Sequence, residues 1–131
     1  MHYEYDRAFL IDAAVTKFYL VKTNGFEHVT PVTATGDFAI GVAQESATAG
    51  DVANGKIIGV RLLGVARCVA QAPIAVGLKV RAHSSGKITT VDATAGANNQ
   101  VVGIALTAAA ADGDHIDVLL TPGATSNAAA S

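Results

Sequence analysis

Two stretches of the chain repeat the same order of strands, turns and glycines. Residues 18–51 read FYLVKTNGFEHVTPVTATGDFAIGVAQESATAGD, and residues 78–114 read LKVRAHSSGKITTVDATAGANNQVVGIALTAAAADGD. Both copies carry a turn glycine, an (Ile/Val)-Gly-(Val/Ile)-Ala strand and a final Gly-Asp at matching places. Internal repetition of this kind decides the architecture of a chain. We therefore predict two similar halves, related by a pseudo-twofold internal repeat and joined by residues 56–69.

The pattern within each half is that of short strands. From residue 17 onward, runs rich in Val, Ile and Thr alternate with Gly, Asn, Asp and Ser, which is typical of strands and turns. Asn24-Gly25 and Ser85-Gly86 separate two such runs each and predict hairpins. Gly41 and Gly103 lie in the middle of strands, where glycine marks a bulge or the close approach of another backbone. Because they occupy the same place in both halves, we interpret them as matched bends that let a small sheet curl.

Helix signals are poor, so the predicted fold class is all-β, a small β-barrel or sandwich. The segment GDVANG (50–55) is predicted to be a loop. We place the domain at residues 18–121, after an extended N-terminal arm over residues 1–17. Residues 122–131 contain no large hydrophobic side chain and are expected to form a short flexible tail.

Composition and motifs favour a non-enzymatic protein. The nine basic residues are scattered, so nucleic-acid binding is not expected. No run of about 20 apolar residues predicts a membrane span, and the acidic N-terminus predicts no signal peptide. The single cysteine, Cys68, is expected in the core. The four histidines have no metal-ligand spacing, and no nucleophile motif is present. Asp51 and Asp114 are interpreted as turn residues. We expect no enzyme activity, cofactor or metal.

Aromatic residues are concentrated near the N-terminus and are absent from residues 39–131. Aromatics are enriched at interface hot spots because one part of the ring is apolar and another part can bind polar groups. The partner-binding candidates are His2, Tyr3, Tyr5 and Phe9. Two interpretations stay open: the segment lies across a partner subunit, or it covers the open end of its own barrel. Both hold if Phe9 and Phe18 face inward while Tyr3 and Tyr5 face outward.

An ordered series of segments resembles the phage capsid cement, or head decoration, family. The series is IGVAQESATAGD at residues 40–51, GLKVRAHSSGKITT at 77–90 and VGIALTAAAADGDHIDVLL at 102–120. The resemblance covers about residues 38–120. The N-terminal segment lies outside it, so partner contacts there do not follow from the family.

The resemblance implies a small β-structured protein on the outer surface of an assembled virion capsid. Its partner would be the major capsid protein, and it would act as a homo-oligomer, with a trimer favoured and a dimer possible. It would be made in the host cytoplasm and would reinforce the shell. The alternative is a non-catalytic carbohydrate- or surface-binding module of a virion, although the absence of Trp counts against it.

Overall fold

The computed structural model describes residues 4–25, 27–91 and 100–121. The regular structure of this part of the chain is strand apart from one short helix, which confirms the all-β fold class. The elements in chain order are β1 Tyr5–Ile11, β2 Leu20–Thr23, β3 His28–Pro31, β4 Gly41–Ala43, α1 Ala49–Ala53, β5 Ile57–Leu63, β6 Val65–Val69, β7 Lys79–Ala82, β8 Ile88–Thr90, β9 Val101–Ala105 and β10 His115–Leu120.

The ten strands form two five-stranded units of the same topology. The first unit is a closed barrel, which reads β1-β5-β4-β2-β3 around its circumference, and the second is a sheet of order β6-β10-β9-β7-β8. Every strand of the second unit thus takes the place of the strand five positions earlier. The predicted internal repeat is therefore present, with its two units spanning β1–β5 and β6–β10.

Strand register shows which residues of the two units are equivalent. Val21 pairs with Gly41 in the first unit, and Val80 pairs with Gly103 in the second. A parallel contact between Ile11 and Val29 closes the barrel, and Ala70 and Ile88 form an isolated parallel bridge at the same place. We call the contact of β1 with β3, and of β6 with β8, the seam of each unit. In the second unit that single bridge joins the seam, and the rest of it stays open.

The N-terminal segment differs from the expected arm. Residues 5–11 form β1, which pairs with β5 along its length and with β3 at its end. Phe9 and Ile11 are buried in the barrel core, and their burial favours a barrel strand over a free extension. The first unit thus begins at residue 5, not at residue 18. Residues 1–3 and the predicted tail, residues 122–131, lie outside the described residues.

The predicted connecting segment also divides differently. Residues 56–69 contain two strands, β5 and β6, which belong to different units. Gly64 separates them with a φ of 96°, a left-handed conformation that glycine adopts without strain. The chain turns there from the first unit into the second.

Both predicted hairpins are present, as β2–β3 and β7–β8. The segment predicted as a loop at residues 50–55 instead holds most of α1, a single helical turn. Thr48 and Asp51 stabilise this turn by a capping box, since the Asp51 carboxylate accepts from Thr48 N at 2.9 Å. Asp114 likewise accepts from the amides of Ala110 and Ala111. Both aspartates therefore act as turn residues, as predicted.

Two hydrophobic cores result, and the second is shared between the units. Successive strand residues point to opposite faces, so Val21 and Ala43 face into the barrel while Leu20 and Val42 face out of it. Leu20 and Val42, together with Val32, belong to the core cluster of the second unit. The outer face of the barrel thus completes the core of its neighbour.

The matched glycines Gly41 and Gly103 are required by the adjacent strand. A Cβ at Gly41 would meet the carbonyl oxygen of Arg61 and lie 2.8 Å from Val60 Cγ1. A Cβ at Gly103 would meet the carbonyl oxygen of Leu119 and lie 2.7 Å from Val118 Cγ1. The close approach of another backbone therefore requires both glycines. At Gly103 the pairing with β7 also shifts register between Val80 and Arg81, as at a bulge.

We expect Gly103→Ala to destabilise the protein by about 1–3 kcal/mol, because the backbone of β10 must move to admit a methyl group. Gly59→Ala is the matched control, since Gly59 also lies in a strand but a Cβ there meets nothing within 4 Å. The free energy of unfolding in guanidinium chloride measures both. Equal stabilities for the two variants would contradict the close-approach explanation.

Candidate interaction surface

An apolar groove of about 410 Å³ opens on the surface of the first unit. We call it the aromatic groove. Its floor and walls come from β1, from the end of β2, from the segment before β4 and from the end of β5. The residues that line it are Tyr5, Arg7, Phe9, Thr23, Phe38, Ile40, Leu62 and Leu63.

Alternate residues of β1 build one side of this groove. Phe9 is only 6% exposed and lies in the barrel core, while Tyr5 is 52% exposed. The Arg7 guanidinium lies between them and stacks over the Phe9 ring, 5.1 Å from its centroid. The structure thus places Phe9 inward and Tyr5 outward and brings both into one groove. His2 and Tyr3 lie outside the described residues.

Other lining residues escaped the sequence analysis. Phe38 and Leu63 are exposed large side chains on the groove wall, and Ile40 and Leu62 lie beneath them. The sequence signal for Phe38 was its place as the last aromatic residue of the chain. The leucines of β5 gave no signal, because every strand of this chain is rich in similar side chains.

Ion pairs on Arg61 hold the start of β1 against β5 at the groove end. Arg61 Nε donates to Asp6 Oδ1 at 2.8 Å, and Nη1 donates to Glu4 Oε2 at 2.9 Å. The hydrogen bond with Asp6 raises the pKa of the Arg61 guanidinium. Arg61 Nη1 also donates to the carbonyl of Val65, which links this cluster to the second unit. The cluster thereby fixes the strand that carries Tyr5.

Asp37 organises the loop that presents Phe38. Its carboxylate accepts from Lys22 Nζ at 3.0 Å and from the amides of Thr33 and Ala34 at 3.2 and 3.0 Å. Burial raises the pKa of Asp37, but these hydrogen bonds outweigh burial and leave the pKa below its ordinary value of 3.8. The ionised form of Asp37 therefore stabilises the loop.

The remaining polar side chains do not assemble a reaction centre in the described part of the chain. His28 Nδ1 lies 2.7 Å from Asp12 Oδ1, whereas His83 contacts Ser85 and His115 packs edge-on against Phe18. Within residues 4–25, 27–91 and 100–121, no cluster of three His, Cys, Asp or Glu residues could hold a metal ion. In the same ranges no helix has the length and hydropathy to cross a membrane.

Cys68 lies in the core of the second unit and is fully buried. Burial raises the pKa of its thiol to about 12, with a smaller contribution from the charge of Asp117. Since the thiolate is the reactive species, the side chain serves here as a small core residue. This agrees with the position expected from its apolar sequence neighbours.

Comparisons with known proteins add to this geometry. The family model for phage cement protein matches residues 10–120. Among solved structures, the head fiber gp8.5 N base of bacteriophage phi29 has a TM-score of 0.67 to this chain at 16% sequence identity, covering 91% of this chain and 95% of that one. At this identity the likeness concerns the fold alone. A search of curated proteins gives no significant match.

Two repeated β units with an apolar groove on the surface define a small all-β structural module. The family match covers most of the chain, including nine of the ten strands in full and the end of β1. The chain belongs to the phage cement protein family, which confirms the resemblance found in its sequence. It is accordingly a capsid-associated structural protein of a phage virion.

We expect the Cys68 thiol not to react with Ellman's reagent at pH 8 in the native protein and to react fully in guanidinium chloride. The raised pKa keeps the thiol protonated, and its full burial keeps the reagent away from the sulfur. Absorbance of the released thionitrobenzoate measures the reaction. Rapid reaction of the native protein would show that the second core opens.

Acid should weaken the loop that Asp37 organises. Because the folded-state pKa is lowered, the stabilisation is complete above pH 3.8 and is lost as the pH falls through the folded-state pKa. We expect Asp37→Asn to be less stable than wild type at pH 7 and to lose less stability below pH 3.8. Chemical unfolding at a series of pH values measures this difference.

Lys22→Met is the matched variant for this experiment. It removes the ammonium group but leaves the two amide hydrogen bonds to Asp37. Its acid-dependent loss of stability should fall between those of wild type and Asp37→Asn. Identical pH profiles for all three proteins would contradict the role given to Asp37.

Proposed function

We propose that this protein binds the outer surface of the assembled phage head and stabilises the shell as a cement protein. The observation that carries the proposal is the family match over residues 10–120. The major capsid protein is the partner, and a homo-oligomer, with a trimer favoured over a dimer, is the binding form. The protein has no enzymatic role and reaches the virion from the host cytoplasm.

The physical basis of such a function is linked binding. A single unit of this size offers a small contact area, and several units joined together engage several capsid subunits at once. The joint affinity then exceeds that of each contact without any new chemistry. A ligand that binds only the assembled shell also stabilises that shell by mass action.

The exposed aromatic side chains at the N-terminal end supply the proposed contacts. Tyr5 is exposed on the groove wall and Phe9 forms its floor, with Arg7 stacked between them. His2 and Tyr3 lie shortly before β1 in the sequence and complete the proposed partner-binding set. The low charge of the chain also supports a partly covered surface, because interface cores are depleted in charged residues.

Binding to phage heads tests the proposal. Expanded heads that lack their decoration protein are mixed with the purified chain and sedimented, and the bound protein is quantified. We expect saturable binding, and we expect decorated heads to release their DNA at a higher temperature than bare heads, because the bound form of the shell is stabilised. Absence of binding at every salt concentration would overturn the proposed function.

A further inference from the structure

The contact between the two units within the chain has two complementary parts. One part is the inner ridge, which consists of Leu20, Val32 and Val42 on the outer face of the barrel. The other part is the open seam of the second unit, whose core cluster contains all three ridge residues. Leu20 N donates to Gly86 O at 2.8 Å across this contact. A Cβ at Gly86 would lie 2.9 Å from the ring of Tyr19, so the ring covers that glycine.

A second ridge lies around the equivalent place on the second unit. By strand register, Leu20, Val32 and Val42 correspond to Lys79, Val91 and Ile104, and Tyr19 corresponds to Leu78. We call the set Leu78, Ile104, Leu106 and Leu119 the outer ridge. Leu119 pairs with Ile104 in the sheet, and Leu78, Leu106 and Leu119 are exposed. Among the residues that the structure describes, no second unit covers this ridge.

The aromatic groove is the equivalent of the part of the second unit that receives the inner ridge. Four of its lining residues are Arg7, Thr23, Ile40 and Leu62. By register and by the matched glycines, they correspond to Ala66, Ala82, Val102 and Leu120. All four counterparts belong to the core cluster that receives the inner ridge. The groove therefore lies where a ridge would be received.

The turn glycines of the two hairpins are not equivalent by register. Thr23 pairs with Val29 as Ala82 pairs with Ile88, so Glu27 and not Gly25 stands at the position of Gly86. Gly86 O accepts from Leu20 N of the first unit, whereas Glu27 O accepts from Leu10 N of its own unit. A contact between copies therefore lacks this backbone hydrogen bond of the internal junction.

We propose that the outer ridge of one copy of this protein docks into the aromatic groove of a second copy, head to tail. The contact repeats between copies the junction that joins the two units within one chain. The occupant is a second copy because this chain carries both members of the pair, in the places where their counterparts already fit each other. The inference deepens the oligomeric part of the proposed function and rests on it.

Two substitutions make the contact between copies more polar than the junction within the chain. Lys79 stands at the position of Leu20, and Arg7 stands at the position of Ala66. A lysine covers apolar surface with its methylenes while its ammonium stays in water, and Arg7 already pairs with Glu27 at 3.5 Å. The copies should therefore associate reversibly. Head-to-tail contacts close into a ring or grow into a filament, and a trimeric ring is the form expected here.

Three single variants test the interface by size-exclusion chromatography with light scattering. Phe38→Asp alters the groove and Leu119→Asp alters the ridge, and each should weaken association at least about tenfold, the equivalent of about 1.4 kcal/mol. Ile57→Asp is the matched control, because Ile57 is a 56% exposed side chain outside both surfaces. It should associate like wild type. Thermal unfolding verifies that all three variants are folded.

Mixing the two defective variants identifies a head-to-tail contact. Leu119→Asp keeps an intact groove and Phe38→Asp keeps an intact ridge, so a mixture has one intact contact per pair and should form heterodimers that grow no further. A wild type that is monomeric at micromolar concentration would overturn the inference. Equal association of wild type and both variants, or a mixture that stays monomeric, would also overturn it.

Head binding separates this inference from the proposed function. If the protein stays monomeric but Phe38→Asp abolishes sedimentation with phage heads, the groove receives the capsid protein and the inference fails while the proposed function stands. If the protein assembles head to tail but never binds heads, the inference stands and the proposed function fails.

Discussion

The packing of Leu20, Val32 and Val42 against the core of the second unit is the contact on which the rest of the structure depends. The second sheet meets its own edge at the single bridge between Ala70 and Ile88, so its seam would leave core side chains in water. The inner ridge covers that seam. Its three side chains are almost completely buried, and each contributes about 1.5–3 kcal/mol of hydrophobic free energy relative to exposure. The core of the second unit is therefore incomplete without this contact.

The junction also accounts for an unusual backbone conformation. Phe18 has a φ of 69°, while its counterpart Gly77 reaches 88° with no side chain to strain. A bulky residue in this region costs free energy, of order 1–3 kcal/mol. The Phe18 ring, however, packs edge-on against His115 of the second unit, with centroids 5.6 Å apart. The contact of the Phe18 ring with the second unit therefore offsets the free-energy cost of its backbone conformation, and a glycine at this position would not make that contact.

The sequence predicted the repeat because its signals are local. A mid-strand glycine is required at the same place in each unit, since Gly41 and Gly103 admit no Cβ. The barrel role of residues 5–11 could not be predicted in this way. Phe9 is buried by β3 and β5, which lie far along the chain, and an alternation of aromatic and polar residues suits a free arm as well as an edge of a barrel. Tyr5 and Phe9 were found by their residue type, whereas Phe38 and Leu63 joined the groove through tertiary packing alone.

A chain that contains two units joined head to tail necessarily has one unpaired surface at each end. Two such units in one chain have two ridges and two receiving faces, but they form one junction, so one ridge and one receiving face are left over. Here the leftover receiving face is lined by Tyr5 and Phe38, and the leftover ridge carries Leu119. Neither surface takes part in the junction, yet both expose large apolar side chains. Exposed apolar patches of this kind are typical of protein–protein contact sites.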